Sequence, residues 1–128
     1  MNANQDKAPI VEVGEANFDR EVLKSKPPVL AVFWAPWSRP CHILDAVLDE
    51  VAAMCAGKVK VVKVNSDDNP ELSLWYEIQS IPTLLYSVEG NVRATIVGTA
   101  SKEAILAKAR AVFPAVDSIF LGPGANKK

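Results

Sequence analysis

Apolar and polar positions fall into separate stretches along the chain, each with its own period. Ile10-Val11-Glu12-Val13 alternates as a short strand does, and Asn17 is placed to cap a helix over residues 18–25. Pro27-Pro28 stops that helix. The next six residues, Val29 to Trp34, are all apolar, the pattern of a central strand buried on both faces. From Arg39 the apolar positions Ile43, Leu44, Val47, Leu48, Val51 and Met54 recur at helical spacing, and Gly57 ends the pattern. Residues 59–64 form a second β-rich run that contains Lys60 and Lys63. A turn over 65–70 leads into a short helix over 71–76. Residues 81–86 open a third run, which continues through Glu89-Gly90-Asn91 into 92–97 as a β-hairpin. Gly98 punctuates, Ser101 caps, and residues 102–112 form the last helix, with Glu103 in its first turn. The order β-α-β-α-β-α-β-β-α predicts an α/β fold, a central mixed sheet of about five strands flanked by helices on both faces.

Length and composition narrow the picture further. The 128 residues suit one domain, 49% of them hydrophobic and 23% charged. We expect a flexible lead-in over 1–9, the domain over 10–113 and a tail over 114–128 whose end is disordered. The tail's apolar cluster, Ile119-Phe120-Leu121, either docks on the domain or is an exposed contact segment. With 14 Lys and Arg against 15 Asp and Glu, the net charge of −1 gives no electrostatic case for nucleic acid or an anionic membrane. No apolar stretch approaches the roughly 20 residues of a membrane helix, and residues 1–9 lack the apolar core of a signal peptide. The expected location is the cytoplasm.

Cys41 and Cys55 are too few for a disulfide framework or a structural zinc site. On one helix their separation is about 21 Å, and a disulfide needs Cα atoms within about 7 Å, so they cannot bridge. Cys55 is expected to pack as a small hydrophobe. One cysteine beside His42 does not make a metal site, and no glycine-rich phosphate loop points to a cofactor.

The segment Trp37-Ser38-Arg39-Pro40-Cys41 stands where the first apolar run gives way to the long helix. It resembles the active-site turn of the thioredoxin family, Trp-Cys-x-x-Cys, with serine in place of the first cysteine. The resemblance covers residues 11–113. It also rests on Phe33-Trp34-Ala35-Pro36, on Leu48-Asp49-Glu50-Val51, on Asp68-Asn69-Pro70, on Ile81-Pro82-Thr83 as the family's cis-proline turn, and on Val97-Gly98. It implies a thioredoxin fold and thiol-disulfide exchange at a helix N-terminus, where free N–H groups and the helix dipole favour a thiolate. It further implies a substrate groove formed by Trp37, Ile81, Pro82, Thr83 and Gly98, with Arg39 and Pro40 tuning the turn and its charge. Trp37 would wall the reacting atoms from water, and Gly98 would allow close backbone approach. Partners would be protein or peptide segments paired to the turn as an added strand, and a thioredoxin reductase if the lineage is redox-active.

Two positions depart from that pattern. The family's first cysteine attacks a disulfide and its second, more buried, resolves the mixed disulfide. Ser38 occupies the attacking position, where its hydroxyl cannot undergo exchange but can cap the helix well. Cys41 occupies the resolving position. Val32 stands where many thioredoxins carry a buried aspartate that handles the resolving proton, which leaves Lys63 without that partner and expected to snorkel outward. His42 is expected to be an exposed spectator. Three readings fit: a disulfide reductase frozen by an engineered Cys-to-Ser change at 38, a natural redox-inactive binding module, and a monothiol sensor acting through Cys41.

Overall fold

Strand β2 (Val29–Trp34) lies at the centre of the molecule because none of its residues can face water at low cost. In the computed structural model, which describes residues 10–55 and 58–113, it pairs with β3 (Lys60–Asn65) in parallel and with β4 (Thr83–Val88) in antiparallel. The short strand β1 (Val11–Val13) adds in parallel to β3, and β5 (Asn91–Val97) adds in antiparallel to β4. The five-stranded sheet has the order β1-β3-β2-β4-β5. This is the mixed α/β sheet that the sequence pattern predicts. The expected lead-in over 1–9, the helix stop at Gly57 and the tail over 114–128 lie outside the described residues.

Alternation along β2 divides the core in two. Leu30 and Val32 face helices α1 (Arg39–Met54) and α3 (Lys102–Val112), packing with Leu44, Leu48 and Ile105. Ala31 and Phe33 face the opposite way, where Phe18, Val22 and the short helix α2 (Pro70–Trp75) cover the sheet. Helices therefore cover both faces. Tyr86 fastens the first layer: its hydroxyl donates to the Ile105 carbonyl at 2.8 Å, and its ring meets Phe113 at 5.5 Å. The hairpin turns through Glu89 and Gly90, both at positive φ, the two-residue connection that suits the strand twist.

The first helix differs from expectation. Residues Asp19–Leu23 wind as a single π-helical turn, and Lys24 N–H reaches back to the Asp19 carbonyl. Asn17 does not cap it. The Asn17 Oδ1 accepts the Gly14 N–H at 2.8 Å and closes the preceding turn instead. A second clamp joins this loop to α2: Glu15 N–H donates to Asn69 Oδ1, and Glu71 N–H donates to Glu15 Oε2, each at 2.9 Å. A Cβ at Gly14 would lie 2.6 Å from Asn69 Oδ1, so a side chain there would displace the amide that accepts the Glu15 N–H.

Cys55 ends α1 and is 1% exposed, consistent with a packing role. Burial raises its thiol from 9.0 to about 12. Because the folded value is raised, this contribution to stability is complete below the unfolded thiol's range near pH 9 and is lost as pH rises toward 12. Urea unfolding should therefore show on the order of 1 kcal/mol lost between pH 7 and pH 10 from this group. A Cys55→Val variant measured alongside should lose that much less over the same interval.

Candidate functional site

The sheet register sets the location of the site. Phe33 pairs with Thr83, and Thr83 pairs with Val97, so the end of β2, the start of β4 and the end of β5 meet at one end of the sheet. The residues that follow or precede these positions are Trp37 to Cys41, Ile81-Pro82 and Gly98. The separate motifs of the sequence thus converge.

Leaving β2, the chain turns at Ala35-Pro36-Trp37, where Ser38 N–H donates to the Ala35 carbonyl at 3.1 Å. Ser38 is the N-cap of α1, in extended conformation, and its Oγ accepts the Cys41 N–H at 3.4 Å. Its carbonyl accepts from Cys41 and His42. Pro40 fits the first turn, where a missing N–H removes no helical bond. Arg39 is exposed beside it. The family resemblance implies a resolving position more buried than the attacking one, yet Ser38 and Cys41 are each 3% exposed. The capping bond draws the serine inward.

His42 is exposed, as expected, but it is not a spectator. Its Nε2 lies 2.6 Å from the Pro36 carbonyl, an acceptor only, so this nitrogen carries the proton and ties the helix to the turn. Trp37 is 70% exposed and held by its indole N–H, which donates to Asp67 Oδ2 at 2.9 Å. Asp67 is itself positioned by Asn65, whose Oδ1 accepts from the Asp67 and Asp68 N–H groups. An open depression of about 450 Å³ lies along Trp37, Arg39, His42 and Ile43.

On the facing side the Ile81–Pro82 bond is cis, and the Pro82 carbonyl accepts the Gly98 N–H at 2.8 Å. Among the described residues neither backbone group of Ile81 has a hydrogen-bond partner. Thr83 is buried, and its hydroxyl donates to the Ser80 carbonyl at 2.7 Å, supporting the turn from beneath. Gly98 adopts a φ of +92°, a conformation that favours glycine, and no protein atom lies within 4 Å of a Cβ built there, so this side of the turn is open.

Beneath the helix N-terminus, Val32 is 1% exposed and closed in by the apolar core. The expectation that Lys63 lacks a partner is overturned. Lys63 Nζ lies 2.9 Å from Asp45 Oδ1, its side chain is 15% exposed, and it sits 4.5 Å from the Trp34 ring centroid. Trp34 is accordingly half-buried, one face given to a cation. Asp45 and Asp67 were the residues that sequence reasoning missed. A signal for Asp45 existed: Lys63 shares the inward parity of Val61, and a lysine there needs a carboxylate from the helix above.

Comparison with known proteins shows the family. The thioredoxin family model matches residues 9–111. The chain belongs to the thioredoxin family. It is 46% identical over 98 residues to thioredoxin of Pseudomonas aeruginosa, covering 77% of this chain and 91% of that relative. To thioredoxin 1 of Synechococcus elongatus it is 48% identical over 90 residues, covering 70% and 84%. Thioredoxin of Haemophilus influenzae gives 45% over 93 residues, covering 73% and 87%. Among the described residues no helix is long and apolar enough to cross a membrane, and no group of three or more His, Cys, Asp or Glu side chains could hold a metal ion.

Within this thioredoxin-family fold the Asp45–Lys63 pair joins α1 to β3 across the layer. Because Asp45 is partly exposed, its coupling should be modest. A double-mutant cycle with Asp45→Ala and Lys63→Met should give a coupling of about 0.5–1 kcal/mol in urea unfolding, falling at high salt. A coupling of zero would show that the pair is only a surface contact.

Proposed function

We propose that the chain is a protein of the thiol-disulfide oxidoreductase family that binds extended protein segments and lacks redox turnover as written. The observation that carries this reading is Ser38 at the N-cap. Exchange begins with a thiolate attacking a sulfur, so that one S–S bond forms as another breaks and the displaced sulfur leaves as thiolate. A serine hydroxyl offers no accessible anion and no sulfur to exchange. Here that hydroxyl is also buried and accepts a backbone N–H. Cys41 alone cannot close an intramolecular disulfide, and Cys55, the helix C-cap, lies 14 residues further along.

Binding is a separate capacity, and the groove supports it. The exposed Trp37 indole, the unpaired Ile81 backbone and the open side of Gly98 lie at the same end of the sheet. An extended segment can hydrogen-bond to Ile81 as an added strand while an apolar side chain packs on Trp37. Thr83 and Pro82 give this edge a rigid base, and Arg39 contributes positive charge at the rim. No cofactor is required for this activity. The cytoplasm is the proposed location.

A second reading, a reductase frozen by a Cys-to-Ser change at 38, is favoured by how completely the turn survives around that one position. The enclosed Val32 weighs toward the binding module, since a frozen reductase did not need to lose its buried carboxylate. The monothiol reading is weakened by the burial of Cys41. As written, the protein should give no dithiothreitol-driven reduction of insulin, and turnover above background would refute the assignment. Ser38→Cys separates the two lineages: restored turnover, with thioredoxin reductase as partner, marks a frozen enzyme, and continued silence marks a binding module. In native protein a small maleimide should modify Cys41 no faster than Cys55; rapid selective labelling of Cys41 would revive the sensor.

A further inference from the structure

Away from the Ser38 end of α1, the most exposed apolar surface among the described residues is the C-terminal end of α2. Leu74 and Trp75 are each 79% exposed, the most exposed large apolar side chains among the described residues. Trp75 also borders a depression of about 180 Å³ whose walls include Phe18, Leu72 and Tyr76, with Glu15 and Asp19 on its rim. The walls are fixed in place. Tyr76 packs against Phe18 at 5.6 Å and Phe33 at 6.1 Å between ring centroids, and the Glu15–Glu71 clamp holds the start of α2. This surface lies on the opposite face of the sheet from α1, so it stands independently of the proposed groove.

Charge decides what would cover it. Between Lys63 and Arg93 the sequence contains Asp67, Asp68, Glu71, Glu77 and Glu89 and no lysine or arginine. Among the described residues neither Glu15, Glu71 nor Glu77 forms an ion pair, while the nearby cations Lys24 and Arg20 are already paired with Asp19 and Glu21. Glu71 precedes Trp75 by four residues and therefore lies on the same side of α2. A lysine or arginine placed there would meet a carboxylate and an indole face together. A second copy of this chain, docked by the same patch, would bring one rim bearing the unpaired Glu15 and Glu71 against another.

We propose that this end of α2 is a second docking surface, for a basic amphipathic protein segment that seats one large apolar side chain in the depression between lysines or arginines. The test is titration of the isotope-labelled full chain, followed by NMR, with a synthetic amphipathic peptide bearing one leucine anchor flanked by lysines. A version with glutamates for lysines serves as control. The lysine peptide should shift the Trp75 indole and the amides of Leu72 to Tyr76 and leave the Trp37 indole in place. The glutamate version should bind at least about tenfold more weakly. Trp75→Ser and Glu71→Lys should each weaken the lysine peptide several-fold, about the scale of one interface anchor or charge, whereas Trp37→Ser should not. Both altered side chains are exposed, and an unchanged thermal midpoint checks that the fold is kept. Equal binding of the two peptides, no binding of either, or shifts centred on Trp37 would overturn the proposal. So would concentration-dependent dimerisation through Trp75, which would make a second copy the occupant. A gain in peptide affinity when Ile119, Phe120 and Leu121 are changed to serine would make this chain's own tail the occupant, with the same consequence.

Discussion

Burial of β2 on both faces is the constraint on which the rest of the molecule depends. Six consecutive apolar residues can leave water only if one layer covers Leu30 and Val32 and another covers Ala31 and Phe33. That requirement places α1 and α3 on one side and the π-turn with α2 on the other. It also fixes register, since shifting β2 by one residue would exchange the two sets of side chains between layers. With the register fixed, Phe33 lies beside Thr83, and the turn after β2 meets the turn before β4. The candidate site is therefore a consequence of core packing. Its residues need no direct bond between the two turns to be held together.

Much of this was legible in the chain because periodicity reports burial, and burial is what builds the elements. The long run of β2, the helical spacing from Ile43 to Met54 and the Ser101 cap each map onto the structure. The failures came where a side chain makes a specific polar bond. Asn17 has the chemistry of a helix cap, but its carbonyl oxygen meets the Gly14 N–H first. Lys63 looked unpartnered because the family's acid is sought in the neighbouring strand, whereas the carboxylate that reaches it comes from Asp45, across the layer. Pattern shows which face a residue takes, and it does not show which atom it finds there.

Charge under the turn has been redistributed. A carboxylate at position 32 would be enclosed by apolar side chains, with a desolvation cost that only a close cation could offset. Valine at that position removes the cost and seals the layer. The cation remains, and Asp45 neutralises it from a partly exposed helix position where the carboxylate keeps contact with water. The Trp34 ring takes the other side of the ammonium group. The ammonium group is thus paired without a carboxylate in the apolar layer, although the Trp34 indole N–H beside it is buried with no hydrogen-bond partner among the described residues.

Serine at position 38 completes that separation of fold from chemistry. A sulfur at a helix N-terminus draws its reactivity from the same free N–H groups that a serine hydroxyl satisfies as a cap. The two uses compete for the same donors. Serine settles the competition for stability, by about 1 kcal/mol relative to a residue that cannot cap. The exposed indole of Trp37 and the free backbone of Ile81 take no part in that exchange of roles. They belong to the loops, they are held by Asp67 and by the base of β4, and they would persist whichever atom stood at the cap. On the proposed reading, recognition does not depend on a sulfur at the cap, and the groove can hold a segment that this turn has no means to reduce.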